Sequence, residues 1–247
     1  MTPALLVVVA VGFAWSMGAH YTGACMGMPY SLRVVGARQA LLIMAPLALV
    51  GAAFASHGVE RTVAHRLTTT APGTGAEVVI VAVAFALTTI YNRLKVPTST
   101  IQILVFSVVG TSLGAGLGVR WTTIGTLAIV WVLAPVVAAG LGYVLTRLLS
   151  SVGAALPAAW GRLSWPLLGA GLVVVGGAAS FTMGGNDVAN ATGALVAVHA
   201  FSPLTAGAVG GAGLASGVLT YGRKLLDRVA FEIVELDRAM ATAAQAV

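Results

Sequence analysis

The chain has 247 residues, of which 58% are hydrophobic and 8% charged, and its mean hydropathy is +0.97. Soluble domains carry about 25% charged residues, so this composition excludes a water-soluble globule, and it excludes a disordered chain as well. The formal net charge of +6 indicates basic loops at a membrane surface rather than a nucleic-acid interface. Cys25 is the one cysteine, which leaves no partner for a disulfide or a thiol metal site, and we predict no cofactor.

Seven apolar segments follow one another along the chain, and each is a candidate membrane span. The first and the sixth are too long for simple spans and contain glycines beside polar residues, so we predict a broken helix in each. We therefore expect an all-α polytopic membrane protein with discontinuous helices and about seven spans. The segments cover residues 3–28, 38–56, 76–91, 97–118, 123–146, 165–200 and 203–221.

The basic residues are distributed unevenly between the two sides of the predicted bundle. If each segment crosses once, ten of the 13 Lys and Arg residues fall on one side and three on the other. By the positive-inside rule the richer side is cytoplasmic, which places the N-terminus outside and the C-terminus inside. We expect a multi-pass protein of the plasma membrane, surrounded by lipid.

A shift of 166 residues superimposes the two interrupted segments and the apolar helix that follows each. Five predicted crossings separate the copies, so the second copy enters from the opposite face, as in inverted-repeat secondary transporters. We predict a first repeat at 1–149, a cytoplasmic interfacial linker at 150–164 and a partial second repeat at 165–247. The alternative is a chance alignment of glycine-rich helices. The identities are Gly18 with Gly184, Gly27 with Gly193, Ala40 with Ala206 and Gly51 with Gly217.

Asp187 is the acidic residue that the sequence places inside an apolar segment. Of the other six acids, Glu60 and Glu77 fall at or beside the predicted external loop, and four belong to the C-terminal tail. A charged side chain at the centre of a span costs about 2.5 to 3.5 kcal/mol, so it needs a partner or a wet cavity.

Amide and hydroxyl side chains surround Asp187 in sequence, namely Asn186, Asn190 and Thr192. Together with carbonyl groups freed at the predicted break, they could coordinate Na+ at Asp187 and Asn190, and exposed N–H groups could bind an oxyanion. We predict no other metal site. The alternative is that Asp187 only caps the second half of a broken helix.

A second polar cluster opens the fourth segment at Thr98, Ser99 and Thr100, directly after Pro97. Hydroxyl residues beside a proline also initiate ordinary helices, so this reading stays open. His20 and Thr22, in the first predicted break, are further candidates. His20 is either a titratable functional group or a hydrogen-bonded structural one.

The run from Gly184 to Ala191, GGNDVANA, resembles the signature G-x-N-D-x-A-N-A of the inorganic phosphate transporter family (PiT, or PHO-4). Pro97-Thr98-Ser99-Thr100 resembles the family's Pro-Ser/Thr segment. The resemblance implies one central site for inorganic phosphate and its coupling ion, H+ or Na+. It also implies that Asn186, Asp187 and Asn190 are ligands and that the hydroxyls of residues 98–100 donate to the substrate.

Two features depart from the family pattern. Tyr21 stands where the first repeat of the family has Asp, and Ala24 stands where it has the second Asn. The chain also reaches Val247 before the family's second Pro-Ser/Thr segment. We expect a fragment, a truncated relative, or a protein completed by a partner chain or by a second copy.

The function that the resemblance implies is cation-coupled symport of phosphate by alternating access. Two alternatives stay open: a permease for sulfate or a related oxyanion, and a non-transporting relative that requires a partner. An intramembrane aspartyl hydrolase needs two carboxylates that share a proton, and the sequence places one acid in the membrane. We therefore predict that the protein is not an enzyme.

Overall fold

The computed structural model describes residues 3–56, 67–155, 158–233 and 235–247, and for residues 153–155 and 158–165 it describes the backbone alone. Within these residues the chain is almost entirely helical, which confirms the predicted fold class. A π-helical turn, Arg228–Glu232, joins the last two helices. The helices are α1 (Pro3–His20), α2 (Thr22–Ser31), α3 (Ala37–Ala55), α4 (Thr74–Leu94), α5 (Thr100–Gly114), α6 (Trp121–Ala155), α7 (Ala158–Ala197), α8 (Pro203–Asp227) and α9 (Arg238–Ala246).

Each predicted apolar segment corresponds to one helical stretch of the described chain. Five stretches are long and apolar enough to cross a membrane, namely Pro3–Ser31, Ala37–Ala55, Thr74–Leu94, Trp121–Val152 and Pro166–Ala197. The other two are α5, which has 15 residues, and the glycine-rich α8, which has 25. The chain is a multi-pass membrane protein, and five of the seven predicted spans meet the criteria of length and hydropathy.

Of the two helices that we expected to be broken, the second is continuous and the first is divided at one residue. Helix α7 passes through residues 184–187 without interruption. Tyr21 alone separates α1 from α2, and it keeps near-helical angles (φ −84°, ψ −1°). Its N–H donates to the Met17 carbonyl and its own carbonyl accepts from the Cys25 N–H. The predicted break at residues 184–187 is therefore wrong, and Asp187 is not a helix cap.

The glycines near position 184 serve close packing between α3 and α7 instead of breaking the helix. A Cβ atom at Gly184 would lie 2.0 Å from the Ala48 carbonyl oxygen, and one at Gly51 would lie 1.9 Å from the Phe181 carbonyl oxygen. Only residues without a side chain let two helix backbones approach this closely. A helix interior tolerates glycine at a cost of about 1 kcal/mol, so packing can outweigh it.

Helices α1 and α8 make the same pair of contacts. A Cβ atom at Gly18 would lie 2.0 Å from the Leu214 carbonyl oxygen, and one at Gly217 would lie 1.9 Å from the Trp15 carbonyl oxygen. These four positions are the α3–α7 positions shifted by 166 residues, with the two partners exchanged. The two halves are thus related by an approximate two-fold axis.

The helix ends repeat with the same spacing. Arg33 and His199 stand 166 residues apart, and both adopt the left-handed conformation, with φ of 57° and 56°. One residue later, the N–H of Val34 donates to the Pro29 carbonyl and that of Ala200 donates to the Leu195 carbonyl, each at 2.9 Å. The structure therefore supports the register of the repeat over chance alignment of glycines. The predicted domain limits themselves stay a prediction.

Helix α6 stands apart from the packed centre. It packs mainly against α9, and its apolar side chains, such as Val132 and Val136, are 68% and 65% exposed. Such a helix is stable where lipid surrounds it. Residues 150–155 belong to α6 and 158–164 to α7, and the cytoplasmic linker at 150–164 stays a prediction. Residues 156–157 lie outside the described part.

Contacts between loops agree with the predicted alternation of sides. The N–H of Thr69 donates to the Gly118 carbonyl, which joins the loops before α4 and before α6. At the opposite ends of the helices, the Lys95 ammonium lies 3.7 Å from the Glu232 carboxylate. In a seven-span bundle, the odd-numbered loops lie on one side of the membrane and the even-numbered loops on the other, and these two contacts each join loops of one side.

Candidate functional site

Asp187 lines an open groove between α7 and the junction of α1 with α2. The Asp187 side chain is half-buried and the neighbouring Asn186 is exposed. Among the described residues, the ion pairs lie at the C-terminal ends of α4 and α8 and in the π-helical turn after α8, and none includes Asp187. The carboxylate is thus open to a cation that enters the groove. The other lining residues are Tyr21, Cys25, Val175, Ala178, Ala179, Thr182 and Met183.

Tyr21 occupies the position in the first repeat that corresponds to Asp187 in the second. Its ring lines the same groove, and its hydroxyl lies 2.7 Å from the Thr100 hydroxyl. Thr100 is fully buried. The phenol therefore connects one of the predicted hydroxyl ligands to the Asp187 groove, although the two residues come from different helices.

Thr98 and Ser99 line a different groove, together with Tyr91, Gln102 and Ser107. Ser99 is the N-cap of α5, and its hydroxyl accepts from the Gln102 N–H at 3.4 Å. The cluster does initiate a helix, as the alternative reading held. Its role as a substrate ligand stays a prediction.

His20 holds the segment before α5 against α1. Asn92 donates its amide N–H to the Ser16 carbonyl at 2.7 Å, so its side-chain oxygen is left to accept from His20 Nδ1 at 2.6 Å. The Nε2 atom lies 2.9 Å from the Thr98 backbone nitrogen and 2.8 Å from the Thr98 carbonyl oxygen. These contacts make His20 a buried positioning residue.

Thr22 and Thr192 lie at the packing surface with α8. The Thr22 hydroxyl donates to the Gly222 carbonyl at 2.7 Å, and the Thr192 hydroxyl donates to the Val188 carbonyl at 3.0 Å. A Cβ atom at Gly210 would lie 2.4 Å from the Thr192 methyl group. The geometry of both threonines is that of packing residues.

Sequence reasoning missed Glu77. It lies in the first turn of α4, and it is 7% exposed. It lines a small cavity with Asn190, which is 9% exposed. The sequence placed Glu77 at or beside the external loop, and its burial at the start of α4 was not predicted. The available signal was its position four residues after Gly73, inside a run that stays apolar from Val78 onwards.

The six predicted ligands are not brought into one cavity. Asn186 and Asp187 share one groove, Thr98 and Ser99 share another, and Asn190 faces Glu77. Because Glu77 and Asp187 line different cavities, they do not form the shared-proton dyad of an aspartyl hydrolase.

The two-fold relation also shows which face of α7 is uncovered. On α1, a Cβ atom at Gly12 would lie 3.0 Å from the Phe85 ring of α4, and the Ser16 carbonyl accepts from Asn92 of the same helix. The corresponding positions on α7 are Ala178 and Thr182, which line the open groove. The face that α4 covers in the first repeat is therefore open in the second.

Comparison with known proteins decides the family. The profile described as the phosphate transporter family matches residues 17–170 and 161–247. The chain belongs to the phosphate transporter family. This membership confirms the resemblance that residues 184–191 carry.

Three relatives and one solved structure are similar to this member of the phosphate transporter family. Sulfate permease CysP of Bacillus subtilis is 29% identical over 227 residues, which cover 90% of this chain and 62% of the permease. Two proteins named as phosphate permeases are each 25% identical to this chain. The match to the protein of Thermococcus kodakarensis covers 96% of this chain and 79% of that protein. The match to the protein of Pyrococcus furiosus covers 95% of this chain and 77% of that protein.

The solved structure is that of a sodium-dependent phosphate transporter. It superposes with a TM-score of 0.75 at 22% identity, over 99% of this chain and 83% of the other. This likeness shows that the two share a fold. The chain thus spans less than two thirds of CysP and most of the length of this transporter.

Proposed function

We propose that this chain carries out cation-coupled symport of inorganic phosphate by alternating access. The observation that carries the proposal is the placement of Asp187. It lies within the family signature, on a helix packed at the two-fold interface, and it lines a groove without an ion-pair partner among the described residues. Intramembrane carboxylates in such positions typically bind transported ions.

Charge explains why transport would be coupled. Two unit charges of like sign 4 Å apart repel by about 4 kcal/mol at an effective dielectric constant of about 20. That energy corresponds to roughly three orders of magnitude in affinity. Phosphate therefore binds beside Asp187 once Na+ or H+ has neutralised the carboxylate. Because Tyr21 replaces the second acid, fewer cations would accompany each phosphate than in a relative with two acids.

Uptake of radiolabelled phosphate into proteoliposomes tests this function. The wild-type chain should take up phosphate when a cation gradient is applied, and Asp187→Asn should lose the dependence on that gradient. Asp237→Asn is the matched control, because Asp237 is exposed and caps α9 through its side chain, and asparagine caps equally well. Equal gradient-driven uptake by the wild type and Asp187→Asn would remove the proposal.

Sulfate is the second candidate substrate. It is a tetrahedral oxyanion, and the relative CysP, named a sulfate permease, is 29% identical to this chain. Radiolabelled sulfate in the same proteoliposomes separates the two substrates. If sulfate uptake exceeds phosphate uptake at equal concentrations, and if unlabelled sulfate competes better than phosphate, the chain is a sulfate permease.

A partner helix is the third element of the proposal. The uncovered face of α7 corresponds to the face of α1 that α4 covers, so we expect a further helix over Ala178 and Thr182 in the active assembly. Light scattering on an uptake-active preparation measures its protein mass. An active particle heavier than 24.8 kDa is expected, and an active particle of that mass would contradict the need for a partner.

The N-terminus would lie outside the plasma membrane and the basic C-terminus inside.

A further inference from the structure

Glu77 is a buried acid that the proposed function has not yet used. Its cavity lies between α4, α5 and α7, has a volume of about 40 Å³, and so can hold a water molecule. Glu77 and Asn190 are the polar side chains among the described residues that line it. The remaining lining residues are apolar: Pro72, Ile80, Val81, Leu104, Val108, Ala189, Gly193 and Ala194.

The surroundings of Glu77 disfavour a permanent negative charge. Removing a carboxylate from water costs several kcal/mol. The N-terminus of α4 returns about 2 kcal/mol at most. Among the described residues no ion pair includes Glu77. Burial therefore outweighs the helix dipole, and the carboxyl group is stable when a cation neutralises it.

A proton fits this cavity better than a metal ion does. Hard cations such as Mg²⁺ and Ca²⁺ take six or more oxygen ligands. Two polar side chains in an otherwise apolar wall fall far short of a comparable shell for Na+. A proton needs one carboxylate oxygen, and the amide of Asn190 offers both a donor and an acceptor nearby.

We propose that Glu77 takes up and releases a proton in the cavity that it shares with Asn190. The proposal rests on the proposed function, because it assigns a coupling proton of the symport to this carboxyl group. The proton binds a carboxylate oxygen from water and returns to water, so the step needs no other reactant. Asn190 lies one helical turn from Asp187 on α7, and movement of this helix would therefore change both cavities together.

No other titratable group of the described residues on α4, α5 or α7 lines the cavity. The segment 57–66, which precedes this part of the chain, lies outside the described residues. It carries His57, Glu60, Arg61, His65 and Arg66. A measurement specific to the Glu77 carboxyl group is therefore needed.

Infrared difference spectroscopy of the purified chain in lipid makes that measurement. As the pH falls, the wild type should show a C=O component of a protonated carboxyl that is missing from Glu77→Gln, while the components of the other acids, Asp187 among them, remain. Glu235→Gln is the control, because Glu235 is exposed, and it should keep the component that Glu77→Gln lacks. If Glu77→Gln and the wild type show the same protonated-carboxyl bands at every pH, the proposal is overturned.

Transport supplies the second readout. A pH gradient of one unit drives up to about tenfold accumulation for each coupled proton. Glu77→Gln should lose this accumulation and keep phosphate exchange at equal pH, whereas Asp187→Asn alters phosphate binding itself. Wild-type accumulation by Glu77→Gln would overturn the proposal. If the wild type transports no phosphate, the proposed function fails, and the infrared result still decides the proton site.

Discussion

Gly184 is the position where a single methyl group should destabilise the two-fold packing most. In Gly184→Ala, the new Cβ atom would lie 2.0 Å from the Ala48 carbonyl oxygen, where real Cβ atoms keep at least 3.0 Å. Helices α3 and α7 must therefore move apart by about 1 Å, because a backbone carbonyl cannot rotate away. That movement also loosens the contact of Gly51 with Phe181 in the same interface.

The magnitude follows from the cost of overpacking. Forcing an extra methyl group into a well-packed contact costs about 1 to 3 kcal/mol. For a chain of this size, each kcal/mol lowers Tm by about 2 to 4 °C. Gly184→Ala should therefore melt about 2 to 12 °C below the wild type. The control is Gly171→Ala on the same helix, where nothing lies within 4 Å of the new Cβ atom; its Tm should stay the same or rise.

Cys25 provides the assay. It is the one cysteine of the chain and is 4% exposed, so a thiol-reactive fluorescent dye reports unfolding in detergent. If Gly184→Ala melts within 1 °C of the wild type, the close approach of α3 and α7 is refuted. A loss of stability in Gly171→Ala equal to that in Gly184→Ala would refute the assignment of the effect to this contact.

Two further substitutions test the links between helices. Tyr21→Phe removes the hydrogen bond to Thr100, which costs about 1 kcal/mol and should lower Tm by about 2 to 4 °C. Tyr143→Phe is the control and should leave Tm unchanged, because Tyr143 is 67% exposed. Equal Tm values for the two variants would contradict the hydrogen bond. His20→Ala leaves the Asn92 side-chain oxygen and the Thr98 N–H without their partner, at a cost of about 1 to 3 kcal/mol. Trypsin should then cleave faster after Lys95, and an unchanged cleavage rate would show that His20 does not hold this segment.

Hydropathy was sufficient to place the helices because lipid requires long apolar segments whatever their neighbours. The segment predicted at 38–56 forms the helix Ala37–Ala55, and the segment predicted at 203–221 lies within the helix Pro203–Asp227. The repeat was also readable, since two of the aligned glycine pairs, Gly18 with Gly184 and Gly51 with Gly217, lie at the closest helix contacts.

The break predicted near Gly184 failed because glycine has two uses in a membrane helix. It can interrupt a helix, or it can let another backbone approach, and the sequence around Gly184 does not distinguish these uses. The decision depends on Ala48, more than 100 residues away in the chain. Tertiary contacts therefore determine whether the helix stays continuous at Gly184.

The site was only partly predictable for the same reason. The signature predicted the importance of Asp187, which depends on local sequence. The pairing of Asn190 with the Glu77 cavity depends on how α4 and α7 meet. Glu77 also lies at the edge of an apolar segment, where sequence alone does not separate a loop acid from a buried one.

Equilibrium binding of phosphate to the purified chain, with and without Na+, tests the central claim most directly. The account predicts that wild-type affinity rises when Na+ is added or when the pH falls, because either cation neutralises Asp187. In Asp187→Asn, which carries no charge at this position, phosphate should bind with an affinity that does not change with Na+. Wild-type binding that ignores both cations, or an unchanged Na+ dependence in Asp187→Asn, would contradict the role of this carboxylate.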